Sequence, residues 1–148
     1  MTSKQKNNPN DKKIVIVGCG TYGRSLAMAL AKSGNEVIII DSNRTKLESL
    51  SQLSLNSDLL VGFLGDATIA ADLVNIDIVN SDLFIATTSS DSINALAAQK
   101  AKLLFGINNV ICLMSDKSKQ SLYQKLGIRI VNHTELTIES LITSSVES

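Results

Sequence analysis

Six consecutive residues, Gly18-Cys19-Gly20-Thr21-Tyr22-Gly23, hold three glycines at the spacing of a phosphate-binding turn. A glycine at 18 permits a tight exit from a strand, and one at 20, with no Cβ, lets a pyrophosphate approach the backbone. A glycine at 23 lets the next helix pack closely on a sheet, and the N–H groups of that helix's first turn attract anionic oxygens. Cys19, Thr21 and Tyr22 then complete the loop around the ligand. Asp41 follows Gly23 by 18 residues, at the end of a second apolar run, close to the ~20 expected of a ribose-binding acid. A carboxylate there accepts from ribose hydroxyls and repels a 2′-phosphate, which favours NAD or an unphosphorylated adenosine over NADP. The plainer role for Asp41 is a helix cap. Ser42 and Arg44 come next; Arg44 fits an exposed place in the following helix better than a 2′-phosphate site.

Two more polar segments fall at predicted strand ends, the edge where open α/β sheets bind ligands. Gly65-Asp66-Ala67-Thr68 could place Asp66 near an adenine amine, although a turn aspartate explains it equally well. Thr87-Thr88-Ser89-Ser90-Asp91 could lay Thr87 and Thr88 along the middle of a dinucleotide, with Asp91 capping the next helix. Cys19 sits near a helix start, which can lower a thiol's pKa; a redox switch is one role, and a small packing residue is the favoured one. Cys112 falls in a predicted buried strand, where it should be inert. His133 follows the last strand and suits a loop or cap better than acid–base chemistry. No catalytic residues and no metal ligands are assigned, since two separated cysteines and one histidine make no metal set.

The elements that must position these residues alternate regularly. Strands are predicted over residues 13–17, 36–40, 59–64, 82–87, 110–114 and 128–131. Between and after them, helices are predicted over 22–33, 43–53, 69–75, 91–105, 117–126 and 134–144, with Gly34, Gly106 and Gly127 as stops. On the first helix Leu26, Ala29 and Leu30 are expected to face inward, and on the second Leu47 and Leu50, capped by Ser42 or Asn43. Met28 and Met114 read as core, while Lys117, Lys119 and Lys125 read as a solvated helix face. The strands are continuous β-branched runs, which suits a parallel sheet covered on both faces. Six such units predict a doubly wound Rossmann-type α/β sheet in the order 3-2-1-4-5-6. Residues 1–11 have almost nothing apolar and read as a flexible leader to a single domain over 12–148.

Composition narrows the classes. The chain has 148 residues, 44% hydrophobic and 3% aromatic, so its core must be aliphatic. Fourteen basic residues balance fourteen acidic ones, which offers no broad field for nucleic acid or an anionic membrane. No signal peptide is visible and no apolar run approaches the ~20 residues of a membrane span, so a cytoplasmic location is expected, with any membrane action through a partner.

With these residues in view, the chain resembles the RCK/KTN (TrkA-N) family, the nucleotide-binding regulatory domains of potassium transporters and channels. The resemblance runs from about Lys12 to Ser140 and is carried by residues 14–23, 37–41, 65–68, 86–94 and 125–131, with Gly-Asp-Ala-Thr and the Asp91/Asn94 pair the most telling. It implies that Gly18, Gly20 and Gly23 cradle phosphates, that Asp41 binds the adenine-side ribose, that Asp66 and Ala67 line the adenine pocket, and that Thr87 lies along the ligand. It implies binding of NAD or NADH, or of AMP, ADP or ATP, a membrane potassium transporter or channel subunit as partner, and assembly as a dimer or higher ring. Two departures bear on the ligand. Thr21 stands where some ATP-regulated members carry arginine, and Ile111-Cys112-Leu113-Met114 lacks an arginine that many members have in the fifth strand. Members often carry a second regulatory lobe, so a chain ending at Ser148 is expected to be a single-lobe member or part of a longer protein. Against this stand the cofactor half of a small NAD-dependent oxidoreductase and a non-binding interaction module.

Overall fold

A computed structural model of the chain describes residues 11–53 and 58–147. The expected leader lies outside them except for Asp11. The six strands are β1 (Lys13–Val17), β2 (Glu36–Asp41), β3 (Leu60–Leu64), β4 (Leu83–Ala86), β5 (Val110–Leu113) and β6 (Arg129–Val131). They form one sheet in the order β3-β2-β1-β4-β5-β6, parallel throughout. The helices are α1 (Thr21–Lys32), α2 (Arg44–Leu53), α3 (Ala70–Asn75), α4 (Asp91–Gln99), α5 (Gln120–Lys125) and α6 (His133–Val146). The expected strand order and alternation hold.

Burial explains why the middles of the strands are continuous apolar runs. Ile14 and Ile16 of β1, with Val37 and Ile39 of β2, enter a core shared with Ala27, Ala31 and Leu50. Their neighbours Val15, Val17 and Ile40 enter a second core with Phe84, Leu73, Ala97, Ala98, Val110 and Ile130. Each strand thus feeds two layers, and a fully buried Ile or Phe contributes about 1.5–3 kcal/mol of transfer free energy. The edge strand β3 differs in leaving apolar side chains, Val61 and Leu64, exposed.

Several local expectations change. In α1 the buried stripe is Gly23, Ala27 and Ala31; Leu26 and Leu30 are half-buried beside it, and Ala29 and Met28 are exposed. Small residues four apart let this helix sit close to the sheet, a demand that apolar periodicity does not reveal. Met114 is in the core as expected. The helix expected over 91–105 is α-helical only to Gln99, and Lys100–Leu104 is π-helical before Gly106. The expected 117–126 helix divides into a 3-10 turn, Lys117–Lys119, and α5. A further 3-10 turn, Ile78–Asn80, follows α3, entered through Asp77 at φ 57°. The side chain of Asn43 accepts from Lys46 N–H and caps α2. The cap of α4 is Ser90, which accepts from Ile93 N–H, and not Asp91.

Candidate functional site

Parallel strands bring every β–α turn to one edge of the sheet, so the glycine loop, Asp41, the Gly65–Thr68 turn and the Thr87–Asp91 turn share that edge. The glycine loop is built from the outside in. Gly18 has φ +99°, a conformation open to glycine, and its N–H continues the sheet to Ile40 O at 2.9 Å. A Cβ on Gly23 would lie 1.7 Å from Gly18 O and 2.6 Å from Thr87 Oγ1, so this glycine is required by packing. At Gly20 a Cβ would meet nothing within 4 Å. Gly20 is also the N-cap of α1, with no side chain capping the helix and no acid in its first turn. The first N–H groups of a helix have no acceptor within it, so open space at Gly20 faces donors without an internal partner.

Asp41 closes on this loop from the end of β2. Its Oδ2 accepts from Cys19 N–H at 2.7 Å and its Oδ1 from Asn43 N–H at 2.7 Å. A carboxylate has about four acceptor positions, so one remains on each oxygen for a ribose hydroxyl. Ser42 and Arg44 are exposed, and Arg44 begins α2 beside Leu47 and Glu48, over the outer side of β3. Tyr22 is half exposed, and its ring meets that of His133 at the start of α6, with centroids 5.6 Å apart.

Cys19 is buried, and its thiol donates to Lys46 O at 3.5 Å. Burial, and then the Asp41 carboxylate, push its pKa up; Arg24 and Lys46 oppose this less strongly. The helix start therefore does not activate the thiol, and its burial agrees with the small packing role favoured from the sequence. Burial and Asp91 together push the Cys112 thiol up to about 12. Arg24 and Lys46 are the residues that sequence reasoning missed. They sit on the first turns of α1 and α2, where each is close enough to lower the Cys19 pKa.

The other turns are more self-contained. Asp66 Oδ1 accepts from Thr68 N–H and Thr68 Oγ1, the geometry of a turn aspartate. Ala67 is buried in the second core, and Gly65 N–H donates to Asp41 O at 3.1 Å. Thr87 is buried, its hydroxyl donating to Val17 O at 2.8 Å, which places it beneath the glycine loop. Thr88 Oγ1 donates to Asn94 Oδ1 at 2.6 Å. Burial works to raise the Asp91 carboxyl, but hydrogen bonds from Ser115 N–H, Asp116 N–H and the Ser115 hydroxyl outweigh it and hold it below its usual value. A cleft of about 960 Å³ lined by Lys12, Asp82, Asn109 and Arg129 lies at the opposite edge, where the strands begin.

Among the described residues no helix is long and apolar enough to cross a membrane, and no cluster of three or more His, Cys, Asp or Glu could hold a metal. The profile of the TrkA-N domain matches residues 14–134. A Trk system potassium uptake protein TrkA of Streptomyces coelicolor is 33% identical over 130 residues, 87% of this chain and 56% of that protein. A TrkA homologue of Pyrococcus abyssi is 34% identical over 113 residues, 76% of this chain and 48% of that protein. The chain thus spans about half the length of these relatives. The TrkA-N domain of the inner membrane protein ybaL of Escherichia coli superposes with a TM-score of 0.76 at 16% identity, covering 90% of this chain and 96% of that one. The GsuK channel bound to NAD gives 0.70 at 18%, covering 88% and 23%. The Kef C-terminal domain of Shewanella denitrificans in its AMP-bound form gives 0.64 at 18%, covering 88% and 80%. With its sheet order, its glycine turn and this match over most of its length, the chain belongs to the TrkA-N domain family.

Proposed function

We propose that this chain senses NAD, NADH or an adenine nucleotide and passes the signal to a membrane potassium transporter or channel subunit. The observation that carries the reading is the open space at Gly20, at an uncapped helix start, next to a carboxylate with acceptor capacity to spare. Phosphates would take the first N–H groups of α1, near the positive charges of Arg24 and Lys46, and a ribose would take Asp41. Solved relatives of the same fold include one bound to NAD and one bound to AMP, which supports this ligand class. The sequence relatives are potassium uptake proteins, which supports a regulatory role over an enzymatic one; we further propose that the chain acts at the cytoplasmic side, through a membrane partner and as a homo-oligomer. Differential affinity of the nucleotide for two conformations would supply the regulation.

Calorimetric titration of the purified chain with NADH, NAD, ATP, ADP and AMP tests the reading. Binding of at least one is expected, and no binding by any of them at millimolar concentration sinks it. Removing hydrogen bonds to a charged group should make Asp41→Ala weaker by about tenfold or more, with Arg44→Ala within about twofold. Equal effects would mean that the ribose lies elsewhere.

A further inference from the structure

We propose that Asn94 is a positioning residue for the nucleotide: from inside α4 it holds Thr88, and through Thr88 the backbone at Gly18. This rests on the nucleotide reading and adds to it a residue outside the glycine loop that governs the loop's shape. Asn94 is 1% exposed, and its side-chain amide is fully engaged. Its Oδ1 accepts from Thr88 N–H at 2.9 Å and from Thr88 Oγ1 at 2.6 Å. Its Nδ2 donates to Thr88 O at 2.9 Å and to Leu113 O at 3.0 Å. Thr88 N–H can only donate and the two carbonyls can only accept, so the amide has one permitted orientation.

Thr88 in turn lies against the loop. A Cβ on Gly18 would stand 3.1 Å from Thr88 N and Cγ2 and 3.2 Å from its Cα. The adjacent Thr87 donates its hydroxyl to Val17 O and its N–H to the same oxygen at 2.9 Å. Gly18 is therefore backed by a turn whose own shape is dictated by one amide. Both of its N–H donors and its carbonyl are used on the turn and on the end of β5, a set that no apolar side chain of the same volume could replace. Burying an amide is costly unless these bonds are made, so the residue's value lies in the bonds.

Asn94→Asp gives a readout that simple packing would not. The ionised carboxylate keeps the shape but only accepts, and it faces Thr88 O and Leu113 O. Its protonated form regains one donor. Burial and the Asp91 carboxylate on the preceding turn both raise such an acid above the usual range. Calorimetry with AMP and with NAD on the whole chain, wild type and variant, at pH 7.5 and 5.0, is the test. The variant should bind about tenfold more weakly at pH 7.5, where both donors of the amide are lost, and within about threefold of wild type at pH 5.0, where one is regained. Unchanged affinity at pH 7.5, or an equal loss at both pH values, overturns the proposal. Should the variant fail to fold, Thr88→Val removes the hydroxyl that Asn94 accepts from, which also meets Ser90, and unchanged affinity there overturns it as well. Nucleotide-free NMR spectra separate the two ideas: the amide signals of Gly18, Gly20 and Gly23 should shift in Asn94→Asp at pH 7.5 and return at pH 5.0. If wild type binds no nucleotide while these signals respond, the functional reading falls and the hold of Asn94 on the loop stands. Signals that do not respond overturn that hold.

Discussion

The β1–α1 turn and the β4–α4 turn lie side by side at the same sheet edge, and they are held by different means. The first is held at its own backbone groups: Gly18 N–H to Ile40 O, Cys19 N–H to the Asp41 carboxylate, the Thr87 hydroxyl to Val17 O, and the close seat of Gly23 on Gly18 O. The second is fixed by side chains, with Asn94 saturated on Thr88 and Leu113 and Asp91 bonded to Ser115 and Asp116. A turn held through its backbone leaves its surface bare, which a phosphate needs. A turn held by side chains fills its own surface and becomes a support. Open space beside Gly20 and a packed face at Gly18 are the two outcomes, two residues apart.

Substitutions can break or sharpen this contrast. The largest effect is expected of Gly23→Ala, whose methyl group would stand 1.7 Å from Gly18 O. Helix α1 would have to lift from the sheet, with a loss of about 4 kcal/mol or more in denaturant unfolding. Wild-type stability in this variant would show that the helix is not seated as described. Gly20→Ser should separate folding from binding. Its hydroxyl can cap α1 and add a few tenths of a kcal/mol, about 1–2 °C in Tm, while filling the space proposed for phosphate and weakening nucleotide binding by about tenfold. A serine variant that binds as well as wild type would remove Gly20 from the site.

The smallest effect concerns the supporting turn. Because the folded-state pKa of Asp91 is depressed, its contribution is present above the unfolded value of about 3.9 and is lost as pH falls through the lower folded value. Asp91→Asn should therefore melt slightly below wild type at pH 7, and the gap should close as acid takes the pH below the unfolded value and through the lower folded one. A gap that stays constant across that range would mean that the carboxylate's charge plays no part.

How much of this was legible from residues depended on how local the cause was. The two-faced strands and the helix stops at Gly34, Gly106 and Gly127, all at positive φ, are signals carried by the residues themselves. So were the glycine spacing and Asp41. On α1 Leu26 and Leu30 do pack against the core as expected, but Ala29 does not, and the fully buried Ala27 and Ala31 are there for their smallness, which is set by the distance to the sheet. Arg24, Lys46 and Asn94 acquire their places through turns that meet only after folding. Nothing in the sequence neighbourhood of Asn94 reports a bond to Leu113, 19 residues away.

The pairing of β1 has a consequence for the order of events in folding. On one side β1 pairs with β2, Ile14 opposite Val37, and on the other with β4, Ile14 opposite Leu83. The Thr87 hydroxyl that underpins the loop reaches Val17 across 70 positions of chain. Closing so long a loop costs entropy before any contact rewards it, so such pairings form slowly. The phosphate turn is written early in the chain but cannot acquire its shape until β4 has docked beside β1. During synthesis the glycine turn would therefore stay without its final shape until β4, some 70 residues further on, has been made and docked.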